Sequence, residues 1–531
     1  MAALNDKDIV SALKKNAENG FRLLMAKYKE AVYWHIRRLV VSHDDAQDAA
    51  QETFVRVFRS FSQFKGECSF SAWIYRIATN EALRILERKQ SERLSLDDPA
   101  AGTGSLMADE YMDYSDLEAV KLQKAIDRFR EEGQTDKARL LSWRTVDYFD
   151  EYAYGDFADY YYGEMMPSTG YLTVWDILPA DGGFVFVYPD DGNPEICAKV
   201  PPMPNFFSVF NEGERWGELM ECQTVADLND LTNSGRIREL IRVNEALHEK
   251  RFSQVADQVC QRGAKAVLLA GPSSSGKTTS ANRLATQLRV HGKKPILMSL
   301  DDYYIDRDKI APGPDGKLDL EHINTIDCAL FREDMASLLA GGEVELPSFN
   351  FLTGKREWRG KRLRLEADSV IIVEGLHGLN PAMLPESVDK KLIFRLYVSP
   401  LLPLNLDNHN RIPTSYLRLL RRIVRDYETR GASVQHTLAM WDSVQRGEKR
   451  WIFPYQENAD VIFNSSTLYE LAVLKKHIFP LLTAVQPEDE CYDEVRNIVK
   501  ILNYIQEADV DDEIPPTSLV REFIGGNTFY R

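Results

Sequence analysis

The sequence predicts a multidomain chain: an N-terminal all-α helical module, a middle α+β module and a C-terminal α/β module built on a parallel sheet. Three observations predict it. Between residues 8 and 90, apolar residues recur at helical spacing. A polar stretch then begins near Ser91 and contains Asp97-Asp-Pro-Ala-Ala-Gly-Thr-Gly104. From Ala266 onward, short apolar runs alternate with helical segments, the rhythm of strands covered by helices.

A chain of 531 residues, at roughly 150 residues per domain, is expected to hold about three domains. Hydrophobic residues make up 44% and charged residues 27%, as in globular proteins. No apolar run approaches the roughly 18 residues of a membrane span. The first residues lack the basic and apolar regions of a secretory signal, so a cytoplasmic location is expected. Six dispersed cysteines without a C-x-x-C pair point to reduced thiols rather than disulfides or zinc. The net charge of −16 is uneven, with 16 Lys or Arg against 12 Asp or Glu in residues 1–93. Only that first segment favours nucleic acid.

The expected boundaries are a helical module at 1–93, a linker at 94–118, an α+β module at 119–250, the α/β domain at 251–490 and an extension at 491–531. Helices are read at Phe21–Met25, Val32–Val40, Phe54–Phe61 and Phe70–Leu86. In the middle module, Tyr171–Trp175 and Gly183–Tyr188 read as strands. The aromatic run Tyr148–Tyr162 is assigned to core packing or subunit contact rather than to a ligand. The parallel strands are placed at Ala266–Ala270, Pro295–Leu300, Val370–Val373, Leu392–Val398 and Ala459–Phe463.

Gly271-Pro-Ser-Ser-Ser-Gly276-Lys277-Thr278 matches G-x-x-x-x-G-K-[ST] between a strand and a helix. Glycines allow the tight curl that turns N–H groups inward, and the helix N-terminus adds partial positive charge. Gly271, Ser273, Ser274, Ser275, Gly276, Lys277, Thr278 and Thr279 are therefore expected to bind the phosphates of ATP. Lys277 is expected to reach the β- and γ-phosphates, and Thr278 to offer its hydroxyl to Mg2+.

Two carboxylates close neighbouring strands. Asp301, after Pro295–Leu300, is the expected base for the acceptor hydroxyl. Glu374, after Ser369–Val373, is the expected Mg2+ residue; Asp302 is divided between the site and a solvated role. Arg418, Arg421, Arg422 and Arg425 recur every three or four residues, so they share a helical face that could close over phosphates.

The loop, Ser299-Leu-Asp-Asp-Tyr-Tyr304, Val373-Glu-Gly375 and Arg421-Arg-Ile-Val-Arg-Asp426 occur in the order of the uridine kinase and phosphoribulokinase family, which residues 262–485 resemble. That resemblance implies Asp301 as the catalytic aspartate, Tyr304 near the base, and Glu321 on the ribose hydroxyls, where Glu replaces the family's Asp. It implies that Pro347–Phe351 lines the base pocket with Phe349 and Phe351, and that Arg422, Arg425 and Arg430 are lid arginines. Gly354 stands about where pyrimidine kinases of the family carry a base-reading histidine. With the middle segment, this part is similar to a bacterial subgroup of longer nucleoside kinases.

Residues 10–90 resemble region 2 of extracytoplasmic-function sigma factors, through Asp44-Asp-Ala-Gln-Asp-Ala-Ala-Gln-Glu-Thr-Phe54 and Phe64–Asn80. The resemblance implies that Asp48, Gln51 and Glu52 face RNA polymerase and that the second stretch reads melted promoter DNA. Lys65, Arg76, Arg84 and Arg88 supply charge for a strand backbone. Phe61, Phe64, Phe70, Trp73 and Tyr75 are expected largely to pack a core. The family's second DNA-reading module is not evident, because residues 119–190 show an aromatic strand pattern.

The expected function is ATP- and Mg2+-dependent phosphorylation of the 5′-hydroxyl of a nucleoside, uridine- or cytidine-like. Two alternatives stay open: a kinase of another small alcohol, such as a sugar phosphate or vitamin, and a sigma-like transcription protein. The expected partners are a small-molecule nucleoside, RNA polymerase and promoter DNA through residues 1–93, and further copies of the chain in a homo-oligomer, with no membrane.

Overall fold

A computed structural model describes residues 6–15, 17–37, 43–61, most of 70–84, 114–144, 152–154, 157–160, 170, 172–180, 183–190, 192–310, 319, 321–384 and 387–529. The chain divides into two compact units, Met1–Ala125 and Ile126–Arg531.

In the first unit, α1 (Asp6–Lys15), α2 (Ala17–Arg37) and α3 (His43–Ser60) are joined by helical residues within 70–84. Leu24, Tyr28, Val32 and Ile36 recur every four residues of α2, which puts them on one face. They bury with Ile9, Val57, Phe70, Ile74 and Ala78 in one core, and Phe61, Trp73 and Tyr75 pack against it. The aromatics therefore pack as expected, except Phe64, which lies outside the described residues. A further helix, α4 (Tyr114–Glu131), starts inside the stretch read as linker.

The second unit opens with α5 (Thr135–Ser142) and the hairpin of β1 (Tyr152–Tyr154) and β2 (Phe157–Asp159). Lys137 of α5 is buried and donates to Asp159 at 2.5 and 2.7 Å. Tyr160 is 2% exposed and stacks on Tyr504 at 6.5 Å, a core role for this member of the aromatic run. Two more hairpins follow, β3 (Asp176–Ala180) with β4 (Gly183–Val187), and β5 (Pro189–Asp190) with β6 (Asn193–Cys197). The strand expected at Tyr171–Trp175 is displaced to Asp176–Ala180. Pairing runs from Ala180 with Gly183 to Asp176 with Val187, so β4 is used up before Trp175 is reached.

Three helices, α6 (Pro204–Leu219), α7 (Val225–Asn233) and α8 (Ile237–Arg262), lead into the sheet. Thr224 and Asp227 form a reciprocal capping box that fixes the start of α7. The sheet holds β7 (Ala266–Ala270), β8 (Lys294–Ser299), β11 (Ser369–Glu374), β12 (Ile393–Ser399) and β13 (Val461–Asn464), all parallel in the order β13-β12-β7-β11-β8. Between β7 and β8 the chain forms α9 (Lys277–Val290), and between β8 and β11 it forms α10 (Cys328–Leu339) and the hairpin of β9 (Glu343–Asn350) and β10 (Lys355–Arg364). Further along are α11 (Thr414–Arg430), α12 (Val434–Trp451), α13 (Glu470–Thr483) and α14 (Tyr492–Leu502), and Arg521–Ile524 forms one more helical turn.

β7 is central and buried along its length. Val267 and Leu269 face a core shared with Ile372, Phe394 and α9, while Ala266 and Leu268 face a second core with Ile371, Val373 and α10. A strand covered on both faces must be apolar throughout, as the central β7 and Val370–Val373 of β11 are, while the edge strand β8 starts with the exposed Lys294 and β12 carries Arg395.

Candidate active site

The chain leaves the sheet at Ala270 and turns at once into the loop Gly271–Thr278. A Cβ on Gly271 would overlap the Val398 carbonyl of β12, so only glycine passes there. Gly276 caps α9 with φ of 85°, and Ser274 also has positive φ, 58°. Ser280 is the first α9 residue whose amide bonds back into the helix, to Gly276 at 3.0 Å. The amides before it lack that acceptor and, at the positive end of the helix, suit an anion. The buried hydroxyl oxygens of Ser274 and Ser275 have no protein partner. Lys277 donates to the Pro272 carbonyl at 2.9 Å. Loss of water lowers its pKa, while Glu374 and Asp301 pull it back up.

Both expected carboxylates stand near this lysine. Asp301 begins the tight turn after β8, its N–H donating to Ser299 Oγ at 3.2 Å. Glu374 ends β11 opposite Ser299 in the register and accepts the same hydroxyl at 3.2 Å. Adjacent parallel strands thus deliver two acids to one edge of the sheet. Desolvation raises the Asp301 pKa against the pull of Lys277. Desolvation, and then the Asp301 charge, push Glu374 up to about 7. Asp302 instead accepts the Phe349 N–H at 3.2 Å and ties β9 to the turn.

Tyr304, Phe349 and Phe351 gather, with ring centroids 5.5 Å apart for Tyr304–Phe349 and 5.2 Å for Phe349–Phe351. Phe349 is buried, whereas Phe351 is 57% exposed. Gly354 turns the β9–β10 hairpin with φ of 68°, and its carbonyl accepts from Arg307. Glu321 lies against α12, where a Cβ on Gly447 would overlap it, and its Oε2 is buried without a partner. Desolvation raises its pKa to about 7.

Sequence reasoning missed His377, in the loop after β11. It is 1% exposed, neither ring nitrogen has a hydrogen-bond partner, and burial holds its pKa down at about 4. It stands within electrostatic reach of Lys277 and His322 and beside the Glu321 backbone. Its one signal was a lone histidine in the apolar stretch Leu376–Leu379. Glu448 of α12 was also missed: it is fully buried, accepts the Ser273 N–H at 2.8 Å and pairs with Arg418 at 2.5 Å.

Two members of the arginine face expected to close over phosphates turn inward instead. Arg418 and Arg421 are buried struts. Arg421 forms a two-pronged pair with Glu470, and both arginines donate at 3.3 Å to loop carbonyls, Arg418 to Ser273 and Arg421 to Ser274. A charge-bearing face turned inward needs partners, and Glu448 and Glu470 supply them. Arg422, also buried, donates to Ser273 Oγ at 2.9 Å. Arg425 and Arg430 pair with Asp426 at 2.8 and 3.3 Å, and Arg430 lies near enough to Asp301 to act on its charge.

In the first unit, Gln51 and Glu52 are exposed on α3, and Arg84 is exposed and pairs with Glu81 at 3.2 Å. Lys65, Arg76, Arg88 and the Asp48 side chain lie outside the described residues. Among the described residues, no helix is long and apolar enough to cross a membrane.

The parallel sheet, the phosphate loop and the two strand-end carboxylates together have the form of a P-loop kinase domain. Residues 267–472 match the Phosphoribulokinase / Uridine kinase family, and residues 24–92 match Sigma-70 region 2. A uridine kinase of Macrococcus caseolyticus is 29% identical over 195 residues, 36% of this chain and 84% of its own length. A uridine kinase of Proteus mirabilis is 29% identical over 197 residues, 36% of this chain and 84% of that one. The solved "Possible Uridine Kinase from Bacillus stearothermophilus" is 18% identical, covering 38% of this chain and 88% of its own, with a TM-score of 0.26, a likeness too slight to bear on function.

Proposed function

We propose that this chain is a kinase that uses ATP and Mg2+ to phosphorylate the 5′-hydroxyl of a nucleoside. The observation that carries this reading is the convergence of Lys277, Asp301 and Glu374 at one sheet edge beside the phosphate loop. The residues fit the cofactors: the loop offers amides and partnerless serine hydroxyls to phosphate, and Glu374, with Thr278, offers oxygen to a hard cation. A bound Mg2+ ion would neutralise charge building on the β- and γ-phosphates.

Lys277 orients the β- and γ-phosphates. Asp301 accepts the proton of the attacking hydroxyl and holds that oxygen in line; the Lys277 charge opposes the desolvation that raises its pKa. Arg422, Arg425 and Arg430 face the charge that spreads over the transferring phosphoryl group. Tyr304, Phe349 and Phe351 supply aromatic surface for a base, while Glu321 and His377 offer unfilled hydrogen-bonding capacity to hydroxyls. The experiment is ATP consumption against a nucleoside panel, with Lys277→Ala as the blank.

Gly354 favours a second reading, an acceptor other than a pyrimidine nucleoside, because this position forms a turn and presents no side chain to a base. Sugar phosphates and pantothenate belong in the same panel. For the N-terminal unit, exposed Gln51 and Glu52 together with the Sigma-70 region 2 match support binding to RNA polymerase. Capture of purified RNA polymerase by the full chain, lost on Gln51→Ala/Glu52→Ala, tests it.

A further inference from the structure

The C-terminal segment meets the phosphate loop. Leu519 is buried in the core shared with Val267 and Leu269, and Ser518 Oγ donates to Glu245 at 2.7 Å. The Phe523 ring lies 4.8 Å from the Arg421 guanidinium. Gly525 and Gly526, with φ of 84° and 76°, turn the chain so that Asn527 Nδ2 donates to Thr279 Oγ1 at 3.2 Å. Between these anchors, Glu522 accepts from the Thr279 N–H at 3.1 Å and from its hydroxyl at 2.6 Å.

Thr279 is the third residue of α9, the last before the helix begins bonding its own amides. Its N–H therefore belongs to the anion-seeking set at the helix start. The Glu522 carboxylate has taken it. One N–H cannot serve a carboxylate and a phosphate fully at once, and two anions at hydrogen-bond separation repel. Glu522 also lies close enough to Lys277 and Glu374 to act on both charges.

We infer that residues 519–529 are a component of the donor-nucleotide site, in which the Glu522 carboxylate holds Thr279 until a nucleotide phosphate displaces it. This rests on the donor-site reading proposed above. Leu519 and Phe523 stay anchored in the core, so the exchange needs rotation of Glu522 and release of Asn527, not detachment of the segment. Phe529 N–H, which donates to Asn527 Oδ1 at 2.8 Å, and Thr528 N–H, which donates to the Pro516 carbonyl at 3.2 Å, are then loosened.

The test is calorimetric binding of Mg·ATP to the full chain and to Glu522→Gln, which keeps the shape and removes the charge. The variant is expected to bind roughly tenfold more tightly. Equal or weaker binding overturns the inference and leaves Glu522 a structural cap. Hydrogen exchange on the wild-type chain needs no variant: ATP should speed exchange at Thr528 and Phe529, and unchanged or slower exchange there also overturns it. A wild-type chain that binds no ATP sinks the donor-site reading and this inference together, whereas ATP binding without these effects sinks the inference alone.

Discussion

Ser299 and Glu374 stand opposite each other on adjacent parallel strands, and one serine hydroxyl links them at 3.2 Å while also receiving the Asp301 N–H. The base candidate and the metal candidate are thus positioned by a single side chain. Removing the Asp301 charge tests the first role. Asp301→Asn should lower kcat by about 10²–10⁴-fold, with ATP affinity kept within a few-fold. Pre-steady-state phosphotransfer beside ATP binding separates these quantities, and an unchanged kcat would remove Asp301 from the chemistry.

His377 and Glu321 hold buried polar atoms with nothing to bond. An acceptor bearing hydroxyls on both sides would satisfy them. His377→Ala should raise the nucleoside KM by about 10- to 100-fold and leave the ATP KM alone. If both constants move together, or neither moves, His377 does not touch the acceptor.

The Arg421–Glu470 pair lies fully buried beneath the loop. Glu470→Gln leaves a guanidinium charge without its counter-ion, so it should destabilise the chain by about 3–5 kcal/mol in urea unfolding. A loss under 1 kcal/mol would mean that Arg421 is held by the carbonyls of Ser274 and Ser465 instead.

Glu321 gives a pH dependence of definite sign. Burial lifts its folded pKa to about 7, above the ordinary glutamate value of 4.5. The folded state therefore holds this proton more tightly, which contributes stability below pH 4.5 that is lost as pH rises through 7. Relative to wild type, Glu321→Gln should gain stability as pH rises between those limits, reaching about 3 kcal/mol by pH 8. Equal slopes of unfolding free energy against pH in the two proteins would contradict it.

What could be read from the sequence follows from burial. The sheet strands were legible because they are mostly apolar runs, most fully in the central β7 and β11, which are covered on both faces. The β9–β10 hairpin was not, since Lys355–Arg364 is mostly charged and mostly exposed, leaving no period to detect. Lys277, Asp301 and Glu374 lie beside strand ends and could be placed from local context. Helical spacing showed that Arg418 and Arg421 share a face, but not that the face turns inward, because Glu448 and Glu470 lie 30 and 49 residues further on. Glu522 reaches Thr279 across 243 residues, a contact that local pattern cannot contain.

The most direct measurement is Mg2+-dependent ATP consumption by the full-length protein with a panel of nucleosides, sugar phosphates and pantothenate, run beside Lys277→Ala. The account predicts turnover with at least one nucleoside and loss of that turnover in Lys277→Ala. Turnover that persists in Lys277→Ala, or that occurs only with acceptors other than nucleosides, would contradict it.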